Sequence, residues 1–405
     1  MKKRVPKLRF PEFSGEWEEK KLGEVCAINP QNPPLPDQFE YIDLGSVKNG
    51  NLFGSLIINK DNAPSRAQRL LKTGDVLFQT VRPYQRNNYY YKQKKILPSV
   101  ASTGYVQIRS TNNKSLFLYY TLYTDGFVRD VLDCCTGTSF PAINSDSLGN
   151  IQIRYPSIPE QQRIADFFST VDGIIASEQR ILDDLQLKKK GLMQELFSRE
   201  LRFKDKDGKE FPEWEEKRLG EITNITSCKR VHQEEWTKEG IPFYRAREIV
   251  ALHRHEKISP LYISEDLYDK NSKLSGKIKK GDLLVTGVGT IGIQYLVKEK
   301  DRFYFKDGNI IWIQNTGGIL IGEFLYYLFD SKYIQSQIKR MAGVGTVGTY
   351  TIENANTTNV YIPAIEEQQK IATCLFLLDG GIVEQQKIVA GWKLRKKGLL
   401  QQMFV

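Results

Sequence analysis

Two hexapeptides of this 405-residue chain, GVGTIG at residues 287–292 and GVGTVG at 343–348, have the glycine spacing that lets backbone N–H groups approach a pyrophosphate. That chemistry also needs a helix opening on the last glycine and an acidic residue about 20 positions further on. The residues after Gly292, IQYLVKEKDRFYF, read as strand and turn, so both hexapeptides are expected to be tight turns or close-approach loops. His253 and His255 stand one residue apart without acids or cysteines at ligand spacing, and His232 is remote from them. The five cysteines, Cys26, Cys134, Cys135, Cys228 and Cys374, form no CxxC pair. No paired-carboxylate arrangement recurs in both halves of the chain, so neither a catalytic residue nor a metal ligand is assigned.

The stretch NPPL, residues 32–35, has the form of the Asn-Pro-Pro-aromatic loop with which amino-methyltransferases hold a flipped base, but leucine stands where the stacking aromatic belongs. It reads as a proline-rich surface loop. A stronger signal is the interleaving of basic, amide and aromatic residues. TVRPYQRNNYYYK, residues 80–92, offers Arg82, Tyr84, Arg86, Asn87 and Asn88; the second half offers Arg245 and Arg247 in YRARE, Lys306 in RFYFK, and Thr290 in the first glycine turn. Arginine reads guanine and asparagine reads adenine bidentately in the major groove, while other Lys and Arg side chains hold phosphates. These nine residues are the candidate DNA contacts.

The charge agrees with a polyanionic partner. Residues 1–200 hold 27 Lys+Arg against 22 Asp+Glu and residues 201–405 hold 31 against 26, so each half contributes +5 to the net +10. The opening MKKRVPKLRFPEF has no apolar run behind it, and no stretch has membrane-spanning length. A cytoplasmic protein that makes no membrane contact is expected.

The elements that must position these residues are written twice. PSIPEQQRIADFFSTVD at 156–172 returns as PAIEEQQKIATCLFLLD at 363–379, and KKKGL at 188–192 returns as RKKGL at 395–399, both at an offset of 207. TGDVLF at 73–78 returns as KGDLLV at 280–285 at the same offset, whereas WEEKKLGEV at 17–25 returns as WEEKRLGEI at 214–222 at 197. Variable material therefore lies inside each copy and shared material frames it. A period this long implies two whole modules rather than a solenoid.

Each module shows short β-like runs separated by Gly, Asn and Pro turns, with one helix-like segment late in it, at 115–132 and 320–341. After each module, apolar residues recur at threes and fours: Ile164, Phe168, Val171, Ile174 and Leu185 in the first copy, and Ile371, Leu375, Leu378, Ile388 and Trp392 in the second. Two helices, each roughly 55 Å long if unbroken, cannot bury such a stripe against one small module and need each other. Only about 15 residues separate the first helix from the second module, which favours antiparallel pairing. The expected fold is α+β: two mixed α/β modules separated by two long helices that pair as an antiparallel coiled coil, a pseudo-two-fold internal repeat in the form of a dumbbell. Its parts are a first module at 1–155, a first helix at 156–200, a second module at 201–362 and a second helix at 363–405.

With the paired WEEK motifs, GDVLF and GDLLV, GTSFPAI from Gly137 and GTVGTYTI from Gly345, and PEQQRIA and EEQQKIA in order, the chain resembles the DNA specificity subunit of Type I restriction-modification systems. The resemblance spans the chain end to end. It implies two target-recognition domains, each reading one half of a split, asymmetric site on double-stranded DNA, with the helices fixing the gap between the halves. It further implies that two methyltransferase subunits dock on the helical region and supply the S-adenosylmethionine chemistry and base flipping, and that restriction-translocase subunits join for cleavage. S-adenosylmethionine, ATP and Mg would then sit on partner subunits, leaving this chain non-catalytic and without a cofactor. The alternatives are a free-standing two-headed DNA-binding regulator and a DNA-modifying enzyme.

Overall fold

The computed structural model describes residues 5–92, 96–111, 114–306, 309–343 and 348–404. The chain divides into two compact units, residues 1–180 with 387–405 and residues 181–386. Both boundaries fall inside the long helices, Ile158–Ser198 and Ile365–Met403. Each unit thus owns one module, the start of the helix that follows it, and the far end of the other helix.

In the first unit the strand Val76–Gln79 is buried at all four positions. It lies in an antiparallel sheet of order Cys26–Ile28, Tyr105–Ser110, Val76–Gln79, Tyr89–Tyr90. A second sheet, Leu56–Asn59, Gln38–Ile42, Ser99–Ser102, Ala67–Leu70, contains one parallel pair, formed by its two inner strands. Glu18–Lys21 pairs with Gln152–Tyr155, which brings the start of the module to its end just before the long helix begins. The helix expected over 115–132 is two helices, Ser115–Thr121 and Asp125–Asp133. The first ends at Thr121, and Thr124 caps the second, its hydroxyl accepting from the Phe127 N–H.

The second unit repeats the frame. Glu215–Arg218 pairs with Asn359–Ile362, and one sheet runs Asn224–Thr226, Ile310–Gln314, Leu283–Thr286, Gln294–Leu296. The other runs Trp236–Thr237, Leu261–Ile263, Ile241–Tyr244, Tyr304–Phe305, again with one parallel pair. Here too the expected late helix is split, into Gly322–Asp330 and Lys332–Met341, with the Ser331 hydroxyl accepting from the Ile334 N–H. Among the helices without a sequence expectation, the two longest are Ala246–His253 and Glu265–Ser275. They lie in the part of the repeat where the copies diverge.

The frame is fastened by one set of contacts made twice. The carboxylate of Glu160, buried at the start of the first long helix, accepts from Arg9 Nε and Nη2, both at 2.8 Å, and from Trp17 Nε1 at 3.2 Å. Glu367, fully buried at the start of the second, accepts from Arg202 Nε at 3.2 Å, Arg202 Nη2 at 2.9 Å and Trp214 Nε1 at 3.1 Å. Removing one member of a buried ion pair leaves the other desolvated and unpaired. Glu367→Ala should therefore lower stability by ~3–5 kcal/mol in urea unfolding; a loss below about 1 kcal/mol, the scale of exposed pairs, would show that the triad is not a fastening.

Within each unit the start of one long helix meets the end of the other, so the two run antiparallel. In the first unit Tyr120 Oη donates to Asp172 at 2.8 Å, and Lys396 reaches the other oxygen of that carboxylate at 2.5 Å while lying over the Tyr120 ring. In the second, Tyr327 Oη donates to Asp379 at 2.7 Å and Lys189 completes the same arrangement at 2.7 Å. Burial, with the adjacent carboxylate adding to it, pushes both phenols well above the ordinary tyrosine value. The central lysine of each basic cluster therefore sets helix register. Aromatic packing repeats as well: Phe404 lies against Trp17, Phe117 and Phe168, and Phe197 against Trp214 and Phe324.

Most of the expected apolar stripe faces inward. Ile164, Phe168, Val171, Ile371 and Leu375 are buried, and Ile174, Leu185, Leu378 and Trp392 are half-buried. Ile388 is a correction. It is 39% exposed and its neighbour Val389 is 4% exposed. Counting from the buried Ile382 and Gln385, the steps of three and four residues that keep to one helix face arrive at 389 rather than 388. Both helices continue through Gly191, Gly380, Gly381 and Gly398 despite the ~1 kcal/mol disadvantage of each glycine.

Candidate nucleic-acid interface

In the first module the strand Val76–Gln79 runs out into a turn that two left-handed residues shape, Arg82 at φ 54° and Arg86 at φ 53°. Between them Pro83–Gln85 makes a single 3₁₀ turn. The turn is locked from several sides. The Arg82 N–H donates to the Pro141 carbonyl at 2.8 Å, the Thr80 hydroxyl donates to the Gly104 carbonyl, and the buried Gln79 amide donates to the Val81 carbonyl and to Gln85 Oε1. Val81 bridges Ala142, which ties the loop from Gly137 to the same edge.

The five candidates on this stretch have different fates. Arg86 donates to the Tyr123 carbonyl at 2.9 Å and to Asp125 at 2.6 Å, so it anchors the start of the helix Asp125–Asp133. The Asn87 side-chain oxygen accepts from the Asn49 N–H. Asn88, 1% exposed, accepts through Oδ1 from the Gln79 N–H, and its carbonyl accepts from Tyr123 Oη. These three hold the turn. Arg82, partly buried like Arg86 and Asn87, differs from them in that its side chain has an aromatic ring rather than a hydrogen-bonding group as its partner. Tyr84 is half exposed, and the Arg82 guanidinium lies 4.3 Å from the ring centroid of Phe140, itself 60% exposed. Among the described residues no carboxylate or carbonyl accepts from that guanidinium. A non-glycine residue in the left-handed region is disfavoured by about 1–2 kcal/mol, and residues held so cluster at functional sites.

At the equivalent place in the second module the turn is glycine-built. Val288 bridges Thr349 as Val81 bridges Ala142, and Gly289, at φ 77°, occupies the position of Arg82. A Cβ on Gly287 would come within 2.5 Å of the Tyr350 carbonyl, so that glycine serves close approach. The turn leads into the strand Gln294–Leu296 and opens no helix, which rules out a dinucleotide cradle at 287–292. Gly345 and most of the second glycine hexapeptide lie outside the described residues. Thr290 is exposed at the tip of the first turn, its carbonyl accepting from the Thr286 hydroxyl. Lys306 is half-buried, and its N–H donates to the Tyr244 carbonyl.

Arg245 and Arg247 meet on Glu248. Arg245 donates at 3.1 and 2.9 Å and Arg247 at 2.6 Å. Burial pushes the Glu248 carboxyl up, but hydrogen bonds from both guanidinium groups and from the Arg245 N–H outweigh it and hold the group below its ordinary value. Arg245 is thereby an anchor, whereas Arg247 remains largely exposed. Arg254, exposed and two helical turns further on, shares the face of Arg247.

The remaining chemical candidates are accounted for by their contacts. His253 Nδ1 lies 3.0 Å from the Gln294 carbonyl, and the His232 N–H donates to Glu235. Asn32 donates to the Gln68 carbonyl, and Leu35 packs against the cluster of Phe39, Tyr41 and Val100. Among the described residues no group of three or more His, Cys, Asp or Glu side chains is placed to hold a metal ion, and no helix is long and apolar enough to cross a membrane. Sequence reasoning passed over Phe140, Arg254 and the Arg9 and Arg202 fastenings. For the last, the tripeptide LRF at 8–10 and again at 201–203 was the available signal.

A module framed by paired first and last strands, opening into a long helix and made twice, is the architecture of a restriction-system specificity protein. The chain belongs to the family of Type I restriction modification DNA specificity domains, which it matches over residues 14–187 and again over 212–390. It is 26% identical over 306 residues to the Type I restriction enzyme MjaVIII specificity subunit of Methanocaldococcus jannaschii, covering 71% of this chain and 69% of the relative. A putative type I restriction enzyme specificity subunit of Haemophilus influenzae, S.HindORF215P, is 28% identical over 159 residues, 39% of this chain and 38% of that relative's length. In fold, the chain is similar to one in a structure of the complex assembly and conformational transition of the type I R-M system, with a TM-score of 0.60 and 21% identity over 96% of this chain and 97% of that one. It is also similar to the Type-I restriction-modification system S subunit from M. genitalium, with a TM-score of 0.56 and 16% identity over 99% of each chain.

Proposed function

We propose that this protein is the sequence-specific DNA-binding subunit of a Type I restriction-modification complex, reading a bipartite asymmetric site and directing methylation and cleavage by its partners. The observation that carries this reading is the doubled family domain on a doubled frame whose outer turns differ: a guanidinium over an exposed aromatic ring in one module, glycine in the other. Equivalent scaffolds with unlike surfaces suit two unlike half-sites. The chain itself contributes recognition and assembly. Two methyltransferase subunits would bring S-adenosylmethionine, and restriction-translocase subunits would bring ATP and Mg, in the cytoplasm.

The long helices are the proposed docking region for the methyltransferase. Their exposed leucines support this, because Leu187 and Leu394, both solvent-facing, are 207 residues apart and so equivalent in the repeat. One kind of partner meeting both copies would use them alike. The test is to produce the chain together with a Type I methyltransferase subunit and map the methylated positions in the host DNA. A split motif with an unspecified gap, present only when this chain is present, is expected; methylation independent of the chain would refute the reading. In the same preparation, Leu187→Asp with Leu394→Asp should reduce co-purification of the methyltransferase at least fivefold while leaving the melting temperature unchanged.

A further inference from the structure

We propose that Arg82, stacked on Phe140, is the residue through which the first module reads one guanine, and that Arg86, Asn87 and Asn88 serve only to hold the turn; this rests on the DNA-binding reading above. Three observations converge on Arg82. It takes a left-handed backbone conformation, φ 54° and ψ 56°, at the position where the other copy of the module has Gly289. Its backbone N–H is tied to the Pro141 carbonyl, so turn and ring move as one body. Its guanidinium lies 4.3 Å from an exposed ring and has no hydrogen-bond acceptor among the described residues.

Phosphate contact alone does not explain this arrangement. A chain with 58 Lys and Arg residues has many flexible side chains that can neutralise a backbone without strain. A guanidinium stacked on a ring, without an acceptor and carried on a left-handed backbone is restricted in direction, and direction is what the bidentate contact to guanine O6 and N7 requires. The second module has no side chain at the matching position, so no guanidinium stands at this point of its turn. Module identity and half-site identity are therefore coupled through this turn.

The test uses the full chain assembled with its methyltransferase subunits and compares Arg82→Gly and Arg82→Asn with the parent, since both replacements tolerate the left-handed region. The probes are duplexes carrying the motif that the parent complex methylates, together with every single base-pair variant of it. The parent should lose about tenfold or more in affinity when one G·C pair in one half-site is changed. Both variants should become indifferent at that pair, keep every other preference, and melt no lower than the parent. Parental discrimination at every pair would overturn the proposal, even alongside a uniform loss of affinity with a shallower salt dependence, which would mark Arg82 as a phosphate contact. A lower melting temperature in both variants would overturn it as well, by making Arg82 a structural residue. A parent complex with no preference among the duplexes would refute the DNA-specificity reading itself, a result distinct from either.

Discussion

Replacing residues 1–155 with the corresponding segment of a relative should exchange one half of the methylated motif and leave the other half intact, provided that the graft keeps four side chains. These are Arg9, Trp17, Phe117 and Tyr120, which seat the module on Glu160, Asp172 and Phe404. Their counterparts Arg202, Trp214, Phe324 and Tyr327 make the matching contacts with Glu367, Asp379 and Phe197. The seat is thus common to both copies, whereas the outer turns at Arg82 and Gly289 are not. A module that brings the seat with it should fold in place and carry its own reading surface, so the motif should change completely in that half. Sequencing of methylated positions reads the result directly. If both halves changed, the two modules would not be independent readers; if neither did, recognition would lie outside residues 1–155.

A chain ending at residue 200 should form a homodimer, seen as a doubled mass in light scattering. The first unit has Leu400, Met403 and Phe404 in its main core, and without them Trp17, Phe117 and Phe168 would lose apolar and aromatic cover. The first helix ends in Met193, Leu196 and Phe197, each 207 residues before its counterpart and buried in the core of the second unit. In a second copy these residues can fill the vacant place. Lys189 would then pair with Asp172 as Lys396 does, and the Glu195 carbonyl would accept from the Leu8 N–H as the Gln402 carbonyl does. That carbonyl accepts from the Leu201 N–H and the Ser198 hydroxyl in the full chain, and truncation at 200 removes the first of these donors. Burying three apolar side chains per copy is worth roughly 1.5–3 kcal/mol each, enough for association at micromolar concentrations when doubled by symmetry. Lys189→Asp, which places a carboxylate against Asp172, should return the fragment to a monomer. A folded monomer without that substitution would contradict the argument.

The sequence by itself determined the duplication, the two long helices and their pairing. A repeat held at 207 residues and an apolar period of three to four are properties of the chain as a string, and the short segment between the first helix and the second module favours the antiparallel direction. The basic and aromatic stretch at 80–92 was legible as a candidate surface, but its division of labour was not. Arg82 and Arg86 are four residues apart and of one type, yet one lies over the Phe140 ring and the other is spent on Asp125, because both residues take the left-handed conformation and turn the chain. Local spacing carries no record of such turns at residues other than glycine. Thr124 and Ser331 divide what periodicity reads as single helices, since a cap is a hydrogen bond that competes with the helix and is decided by packing on both sides. Val389 rather than Ile388 is the buried one because adjacent apolar residues are equivalent in sequence, and only the packing of the folded chain chooses between them.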